Sequence, residues 1–471
     1  MLALCIWYFG HGQERSDSLF RYLEIASKNN PTVLQRFAEY QAALQKVPQV
    51  GSLPDPEISL GIFLSPMEQL GGNQVADIRL MQMFPWLGVL KNAKDEMSLM
   101  AKAKYEIFRD TKFQLFFDVQ RNWYELNKIK QNIRISEKNI ELLRTIERLA
   151  IVRFKAAPAA NNISGPSDGV IKSTTGQSSA SGLSGMNGMA GSAGNAAGAA
   201  SNQPAASMGG NSMGSSSGSS GLSDVYRIQI EIADLQNNIE LQRTQLQTNA
   251  AQINGYLNRP LTTLVSIPDT LKAEDLNASF LAISDTILSN NPMLYMLQLE
   301  QQSLEARKQM VTKMSYPMIG LGLNYSLINK SEMSTSSMNG KDMVMPMVTA
   351  TLPIYRKKYK AMRAEADYLK SANAQNYKAV SNSLQTEYYQ ALQLYQDAQR
   401  RIKLYAGQNQ LTVRSIEIMV KSFASSGTSL SDILRIRQQS LDYQFKQVEA
   451  VADYNTSIAW LKRLMAITQI Q

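Results

Sequence analysis

The sequence predicts a mainly α-helical protein with a small transmembrane β part, built from two similar halves. Short phrases recur at fixed offsets, which indicates an internal duplication. Two long stretches lack proline and almost lack glycine, as expected for long helices. Four short stretches alternate apolar with small or polar residues, as expected for strands. Each half therefore predicts the order helix, strand, strand, long helix, helix.

The duplication is carried by matched phrases. The phrase "SGLSDVYRIQ" around Asp224 returns as "TSLSDILRIR" around Asp432, 208 positions later. The phrase "NNPTVLQ" with Pro31 returns as "NNPMLYM" with Pro292, 261 positions later, and the prolines before the first strand of each half keep that offset. The smaller offset at the corners means that the first half carries extra residues there.

The matched phrases also divide the chain. We expect a first repeat over 13–260 and a second over 280–471, joined by an equatorial linker over 261–279. A low-complexity segment of Gly, Ser, Ala and Asn at about 156–220 interrupts the first repeat and accounts for its extra residues.

Alternating residues predict strands at about 56–66, 74–84, 317–328 and 343–353. Segments of about ten residues with one apolar face fit the tilted strands of a transmembrane barrel. A half-buried sheet of a soluble domain would show the same alternation. Lipid does not tolerate an open sheet edge, and known barrels begin at about eight strands. Four transmembrane strands would therefore require association with further copies of the chain.

The stretches that lack proline predict long helices at about 86–157 and 354–424. A helix of about 70 residues is about 100 Å long. In the second stretch, Tyr388, Ala391 and Tyr395 belong to a seam with alternating steps of four and three, which indicates coiled-coil packing. Helices of this length do not fit inside a compact globule, so we expect them to lie in a bundle or tube.

The first residues, "MLALCIWYFGHG", combine an apolar run with small residues, which favours the end of a secretory signal over 1–12. A buried N-terminal strand is the alternative. His11 is the single histidine and Cys5 the single cysteine, so cleavage would leave a chain without imidazole or thiol. Ser-His-Asp and Cys-His catalytic sites and His or Cys zinc sites would then be excluded. We expect neither enzymatic activity nor a cofactor.

The formal net charge is +9, but Lys and Arg are interspersed with acids along the helical stretches. This pattern is typical of solvated helix faces, and we expect no nucleic-acid partner. The sequence contains no apolar run of about 18 residues, so we expect no transmembrane helix.

Several phrases resemble one known family. "LPDPEISLGIF", "QMFPWLG", the duplicated long helices and the paired "LSDV" and "LSDI" corners resemble the TolC-like outer-membrane efflux proteins. The "PDP" and "FPWLG" phrases are most similar to the heavy-metal branch, the CusC/CzcC-like proteins. The resemblance implies a homotrimer with a twelve-stranded β-barrel in bacterial outer-membrane lipid and a long α-helical barrel in the periplasm. It also implies a periplasmic membrane-fusion adaptor and an inner-membrane RND-type pump as partners.

In that family the repeated corner lies at the periplasmic tip, where coiled coils close the entrance. The resemblance therefore places Asp224 and Asp432 at the gate, with Phe423 where the family often has an aromatic residue. Arg227 and Arg435 follow the two acids by about one helical turn, where some members carry a second acid, and they could pair with the acids. An acid repeated around a threefold axis would form a ring that attracts cations. Helix capping is the alternative role for Ser or Asp at this corner.

The low-complexity segment has too little apolar surface to fold, and we expect a flexible linker at the periplasmic tip. It contains Met186, Met189, Met208 and Met213. Thioethers suit Cu(I) or Ag(I), which makes metal capture one hypothesis. Composition drift in a disordered segment is the other. The longer loop between the strands of the second half adds further methionines at the expected cell exterior: Met333, Met338, Met343, Met345 and Met347.

The leading functional hypothesis is a passive export duct for metal cations or small toxic compounds, as the outer-membrane channel of a tripartite efflux system. The exit channel of a type I protein-secretion system keeps the same fold with another cargo. A periplasmic coiled-coil scaffold without membrane contact is an alternative of a different class. A hydrolytic enzyme is disfavoured by the scarcity of histidine and cysteine.

Overall fold

A computed structural model describes residues 19–69, 71–156, 220–274, 280–424 and 429–467. The expected signal over 1–12 and the methionines at 186, 189, 208 and 213 lie outside these residues. The chain divides into two compact units, one made of 1–141 with 233–471 and the other of 142–232, and each is described by itself. Within the described residues, no helix is apolar over a length that could cross a membrane.

The two halves contain the same order of elements. The first half has α1 (Leu19–Asn29), α2 (Pro31–Gly51), β1 (Glu57–Gln69), β2 (Gly72–Phe84), α3 (Val89–Ala156) and α4 (Ser220–Tyr256). The second half has α5 (Phe280–Asn290), α6 (Pro292–Met314), β3 (Met318–Asn329), β4 (Met343–Thr351), α7 (Arg356–Ala424) and α8 (Leu430–Leu464). The predicted mainly helical fold with a small antiparallel sheet is confirmed.

The repeated "NNP" phrase joins two helix ends in each half. The Asn30 Oδ1 accepts hydrogen bonds from the N–H groups of Thr32 and Val33 at 3.0 and 3.3 Å, so Asn30 caps the N-terminus of α2. Its Nδ2 donates to the carbonyl of Tyr256, the last residue of α4, at 3.0 Å. Pro31 occupies the first helical turn, where its missing N–H costs nothing.

The second half repeats this junction. The Asn291 Oδ1 accepts from the N–H of Met293 at 3.0 Å, and its Nδ2 donates to the carbonyl of Leu464, the last residue of α8, at 3.4 Å. One asparagine in each half therefore satisfies unpaired backbone groups at the start of one helix and at the end of another.

The ends of α4 and α8 match residue by residue. Asn258 and Ala466, 208 positions apart, have positive φ angles of 51° and 53°. The N–H of the next residue donates to the carbonyl five positions earlier in both cases, at 3.1 Å for Arg259 and 3.2 Å for Ile467. This pattern is typical of a helix that ends through a left-handed residue. The helix ends therefore keep the corner offset of 208 read from the sequence.

The four strands form one antiparallel sheet in the order β1-β2-β3-β4. The β2–β3 pair joins the two halves, whereas β1 and β4 are the edge strands. Pro66 lies in β1 and Pro346 in β4. Proline cannot donate to a ladder, so edge strands are where a sheet accepts it. The strand expected at about 343–353 is found as β4, so the methionines at 343, 345 and 347, which we also counted with the connecting loop, lie in this strand.

The linker between the halves is held to the helices through Glu274. The Tyr124 hydroxyl of α3 donates to the Glu274 Oε1 at 2.5 Å, and the Lys462 Nζ of α8 donates to its Oε2 at 3.0 Å. The Asn455 side chain accepts from the N–H of Glu274 and donates to the carbonyl of Lys272. Tyr124 is buried in the largest apolar cluster, so these bonds tie the linker to the core.

Candidate functional site

Ser429, at the corner between α7 and α8, caps the N-terminus of α8. Helix capping is one of the two roles that the sequence suggests for this corner. The N–H of Ser431 donates to the Ser429 Oγ at 3.2 Å, and Ser429 has extended φ and ψ angles. Asp432 lies in the first turn of α8, where the positive end of the helix dipole favours a negative charge. Asp432 therefore supports the helix start without being the cap itself.

Asp432 and Arg435 form the ion pair that their spacing predicts. The Arg435 Nη2 lies 3.6 Å from the Asp432 Oδ1, and the two side chains are 76% and 47% exposed. Exposed pairs of this kind contribute about 0–1 kcal/mol at most. The pair reduces the net charge of the corner, but its contribution to stability is small.

Phe423 lies one residue before the end of α7 and is 6% exposed. Leu430 and Ile433 on the first turn of α8 are also buried. The aromatic residue placed at the gate by resemblance is therefore buried in this chain.

The corner of the first half belongs to the unit 142–232. Asp224 is partly buried and Arg227 is exposed, whereas Val225 and Ile228 of the same helix are buried. The first turn of α4 contains no acidic residue among its described positions. Asp224 therefore lies deeper in its helix than Asp432 does, although the two phrases match.

Gln229 of α4 and Arg437 of α8 occupy equivalent positions about two turns after the helix start. Each side chain donates a hydrogen bond to a residue of α3. In the unit 142–232, the Gln229 Nε2 donates to the Glu147 Oε1 at 2.8 Å. In the other unit, the Arg437 Nη2 donates to the Asn139 Oδ1 at 2.7 Å, and Arg437 is 6% exposed. Sequence reasoning missed Arg437 because its burial depends on a residue about 300 positions away in the chain.

One face of the sheet is apolar and exposed. We call it the apolar face; its residues lie opposite one another in the strand register, and most are between 36% and 76% exposed. A continuous apolar surface of this kind needs a covering partner or lipid. The members are Ile58, Leu60, Ile62, Ile78, Leu80, Leu321, Leu323, Tyr325, Leu327, Val344 and Val348.

The other face, which we call the polar face, carries Asp77, Arg79, Asn324 and Ser326 together with Gln74. The Gln74 Nε2 donates to the Ser326 Oγ at 3.3 Å, and both side chains are buried. Alternation of an apolar with a polar face is typical of strands that separate lipid from a hydrated lumen. The same face also holds a group of methionines.

A cavity of about 400 Å³ lies among α3, α6 and α7 and was not found from the sequence. Glu96, Glu300 and Arg307 contribute to its lining. Burial raises the pKa of both carboxyl groups, although Arg307 acts in the opposite direction on Glu96. Within the described residues, no three His, Cys, Asp or Glu side chains are grouped closely enough to hold a metal ion.

Solved structures similar to this chain are outer-membrane channels. VceC from Vibrio cholerae matches with a TM-score of 0.68 and 10% identity, over 95% of this chain and 96% of VceC. The outer-membrane channel OprN matches with a TM-score of 0.67 and 13% identity, over 95% and 89%. CusC matches with a TM-score of 0.67 and 12% identity, over 96% and 92%.

No sequence-family profile matches the chain, and no curated protein sequence matches it. The structural likeness therefore rests on the arrangement of elements, which spans nearly the whole length of both partners. With its duplicated helices and two-faced sheet, the chain has the TolC-like fold of outer-membrane efflux channels.

Proposed function

We propose that the protein is the outer-membrane channel of a bacterial tripartite efflux system and serves as a passive export duct. The observation that carries this proposal is the sheet, which has one exposed apolar face, one polar face and two unpaired edges. Such a sheet is stable in lipid when its edges are closed, which leaves the polar face around a hydrated lumen. The chain itself performs no reaction in this proposal.

Closure of the sheet requires further copies of the chain. One copy provides four strands, fewer than the about eight at which transmembrane barrels begin. We propose a homotrimer with twelve strands, in which β4 of one copy pairs with β1 of the next. Exposed apolar residues on α2, such as Leu34, Phe37 and Leu44, would be covered in the same assembly.

The partners and cargo follow from the same proposal. A duct without an energy source needs an inner-membrane pump of the RND type and a periplasmic membrane-fusion adaptor that connects the two. We propose metal cations or small toxic compounds as cargo, because the "PDP" and "FPWLG" phrases are most similar to the heavy-metal branch. Asp224 and Asp432 would form acidic rings at the entrance, and Arg227 and Arg435 would weaken the attraction of those rings for cations.

Two measurements test the channel. In membrane fractions, we expect the protein in the outer membrane, and we expect chemical cross-linking of the detergent-purified protein to yield a trimer. A monomer in the soluble periplasmic fraction would favour the scaffold alternative and overturn the channel proposal.

Gene deletion tests the cargo. We expect the deletion strain to become sensitive to silver, copper, zinc or cobalt, or to bile salts and dyes, and a plasmid copy of the gene should restore resistance. Unchanged resistance together with loss of a secreted protein would indicate type I secretion instead. Replacing Asp224 and Asp432 by Asn in the plasmid copy should then reduce resistance to cations more than resistance to dyes.

A further inference from the structure

The methionines of β2, β3 and β4 all lie on the polar face. In the strand register, Met81 is opposite Gly322, and Gly322 is opposite Met347 on its other side. Met83 is opposite Gly320. The apolar face of the same three strands is made of Ile, Leu, Val and other residues and contains no methionine.

The two glycines of β3 bring these methionine side chains together. A Cβ atom on Gly322 would lie 3.7 Å from the Met81 Cε and 3.6 Å from the Met347 Cε. A Cβ atom on Gly320 would lie 2.6 Å from the Met83 Sδ. Because glycine leaves the central strand bare, side chains from both neighbouring strands reach over it. Met81 of β2 and Met347 of β4 therefore approach Gly322 from opposite sides, and Met83 of β2 lies over Gly320, two residues along the same strand.

Apolar packing alone does not explain this distribution. If methionine served as an apolar filler, it should occur on both faces, and branched aliphatic residues would suit the site equally well. Instead, the methionines share their face with Arg79 and Asn324. In the register, Asn324 lies opposite Arg79 on one side and opposite Met345 on the other. Met81, Met83 and Met347 are partly exposed on this face, so their side chains are accessible to an ion.

We propose that Met81, Met83 and Met347 form a binding site for a soft monovalent cation, Ag(I) or Cu(I). Neutral thioethers are ligands that soft cations prefer and that hard cations such as Mg²⁺ or Ca²⁺ do not. The site has no ligand that must lose a proton, so binding should be nearly independent of pH between about 5 and 8. The proposal rests on the proposed channel function only in treating the polar face as the wall of the duct.

The test uses the full chain purified in detergent, with Ag(I) as the probe because it does not change oxidation state. In a background variant, Met186, Met189, Met208 and Met213 are replaced by Ser, which removes any binding by the low-complexity segment. Silver bound per chain is measured after desalting. The test variant adds Met81→Leu, Met83→Leu and Met347→Leu. The control variant instead adds Met100→Leu, Met314→Leu and Met362→Leu, which change helix residues.

We expect the background and control variants to retain one tightly bound Ag(I) per chain. We expect the test variant to bind that ion at least about tenfold more weakly. Equal binding by the test and control variants would overturn the proposal.

X-ray absorption at the silver edge keeps the proposal testable if the test variant fails to fold. In the silver-loaded background variant, we expect two or three sulfur ligands, and a shell of oxygen and nitrogen alone would overturn the site. The silver site and the channel function would be overturned by different results. A trimeric outer-membrane protein without silver binding would overturn this site alone, whereas a soluble monomer that binds silver through sulfur would overturn the channel alone.

Discussion

Helix α2 of the first half and helix α6 of the second begin in the same way and lie in different surroundings. Both follow an asparagine cap and begin with a proline. In α2, Val33 is the buried position among the described residues, whereas α6 is buried along much of its length. The buried residues of α6 are Pro292, Leu294, Met296, Leu297, Leu299, Ser303 and Val311.

A pair of equivalent acids shows the difference most clearly. Glu39 in α2 and Glu300 in α6 are 261 positions apart, the offset of the repeat. Hydrogen bonds from Gln35 and Arg36 lower the pKa of Glu39. Burial raises the pKa of Glu300, although Asn373 donates to it. The same local sequence thus sets the helix start in both halves, while the surroundings of each helix set the direction in which the pKa of its acid shifts.

The largest expected effect concerns the strands, where the halves should behave alike. Leu60 of β1 and Leu321 of β3 occupy equivalent positions on the apolar face and are 65% and 53% exposed. Leu60→Arg or Leu321→Arg should each destabilise the membrane-inserted protein by about 2–4 kcal/mol, because each places a charge in lipid. Folding into lipid vesicles under a urea gradient measures the loss. The control Thr349→Arg, on the polar face, should cost less than about 1 kcal/mol, and equal losses would contradict the assignment of faces.

The second prediction concerns the asparagine junctions. Asn30→Ala removes an N-cap and a hydrogen bond to the end of α4, and should lower the free energy of unfolding by about 2 kcal/mol. Asn291→Ala should cost slightly less, because its bond to Leu464 is longer at 3.4 Å. Denaturant unfolding in detergent measures both.

Aspartate variants distinguish the N-cap hydrogen bond of each junction from the hydrogen bond to the end of the second helix. Asn30→Asp and Asn291→Asp keep the cap acceptor and remove the Nδ2 donor, so each should recover about half of the loss. Alanine variants without measurable cost would show that the junctions do not hold the two helices of each half together.

A smaller effect distinguishes the ends of α4 and α8. Ala466→Gly should stabilise the protein by about 0.5–1 kcal/mol, because alanine is strained at a φ of 53° and glycine is not. The matched change Asn258→Gly should be close to neutral, since asparagine tolerates the left-handed region. Thermal unfolding of the two variants measures the difference, and a destabilised Ala466→Gly variant would contradict the assigned geometry.

The smallest expected effect is the pH dependence of stability, which should have opposite signs for Glu300 and Glu39. A raised pKa in the folded state means that stability is lost as the pH rises through that pKa, so wild type should lose stability relative to Glu300→Gln from about pH 4 to 7. A lowered pKa means that stability is lost as the pH falls through it, so wild type should lose stability relative to Glu39→Gln as the pH falls below the ordinary value of 4.5. Unfolding at several pH values gives the two slopes, and slopes of equal sign would contradict the burial difference.

The parts of the fold set by local patterns could be predicted from the sequence. Helix starts depend on a cap, and often on a proline, within a few residues. The "NNP" phrases contain both, and Ser429 directly precedes the second "LSD" phrase as the cap of α8. Strand positions depend on alternation within about ten residues. These signals lie inside short windows, so a single chain is enough to find them.

The missed features depend on residues far apart in the sequence. Arg437 is buried with a hydrogen bond to Asn139 of α3, and the Glu300 carboxyl accepts a hydrogen bond from Asn373 of α7. The methionine cluster depends on a register that pairs Met81 with Gly322 and Gly322 with Met347. A shift of that register by one residue would move every side chain to the opposite face.

The seam between β2 and β3 has a consequence for how copies of the chain can join. It places the hairpin of one half beside the hairpin of the other in the antiparallel sense. Strand direction alternates across the sheet, so in the proposed trimer β4 of one subunit and β1 of the next would also run in opposite directions. The β2–β3 pair within one chain would therefore have the same antiparallel sense as the β4–β1 pair between subunits. A ring with an even number of strands per subunit closes with every neighbouring pair of strands antiparallel.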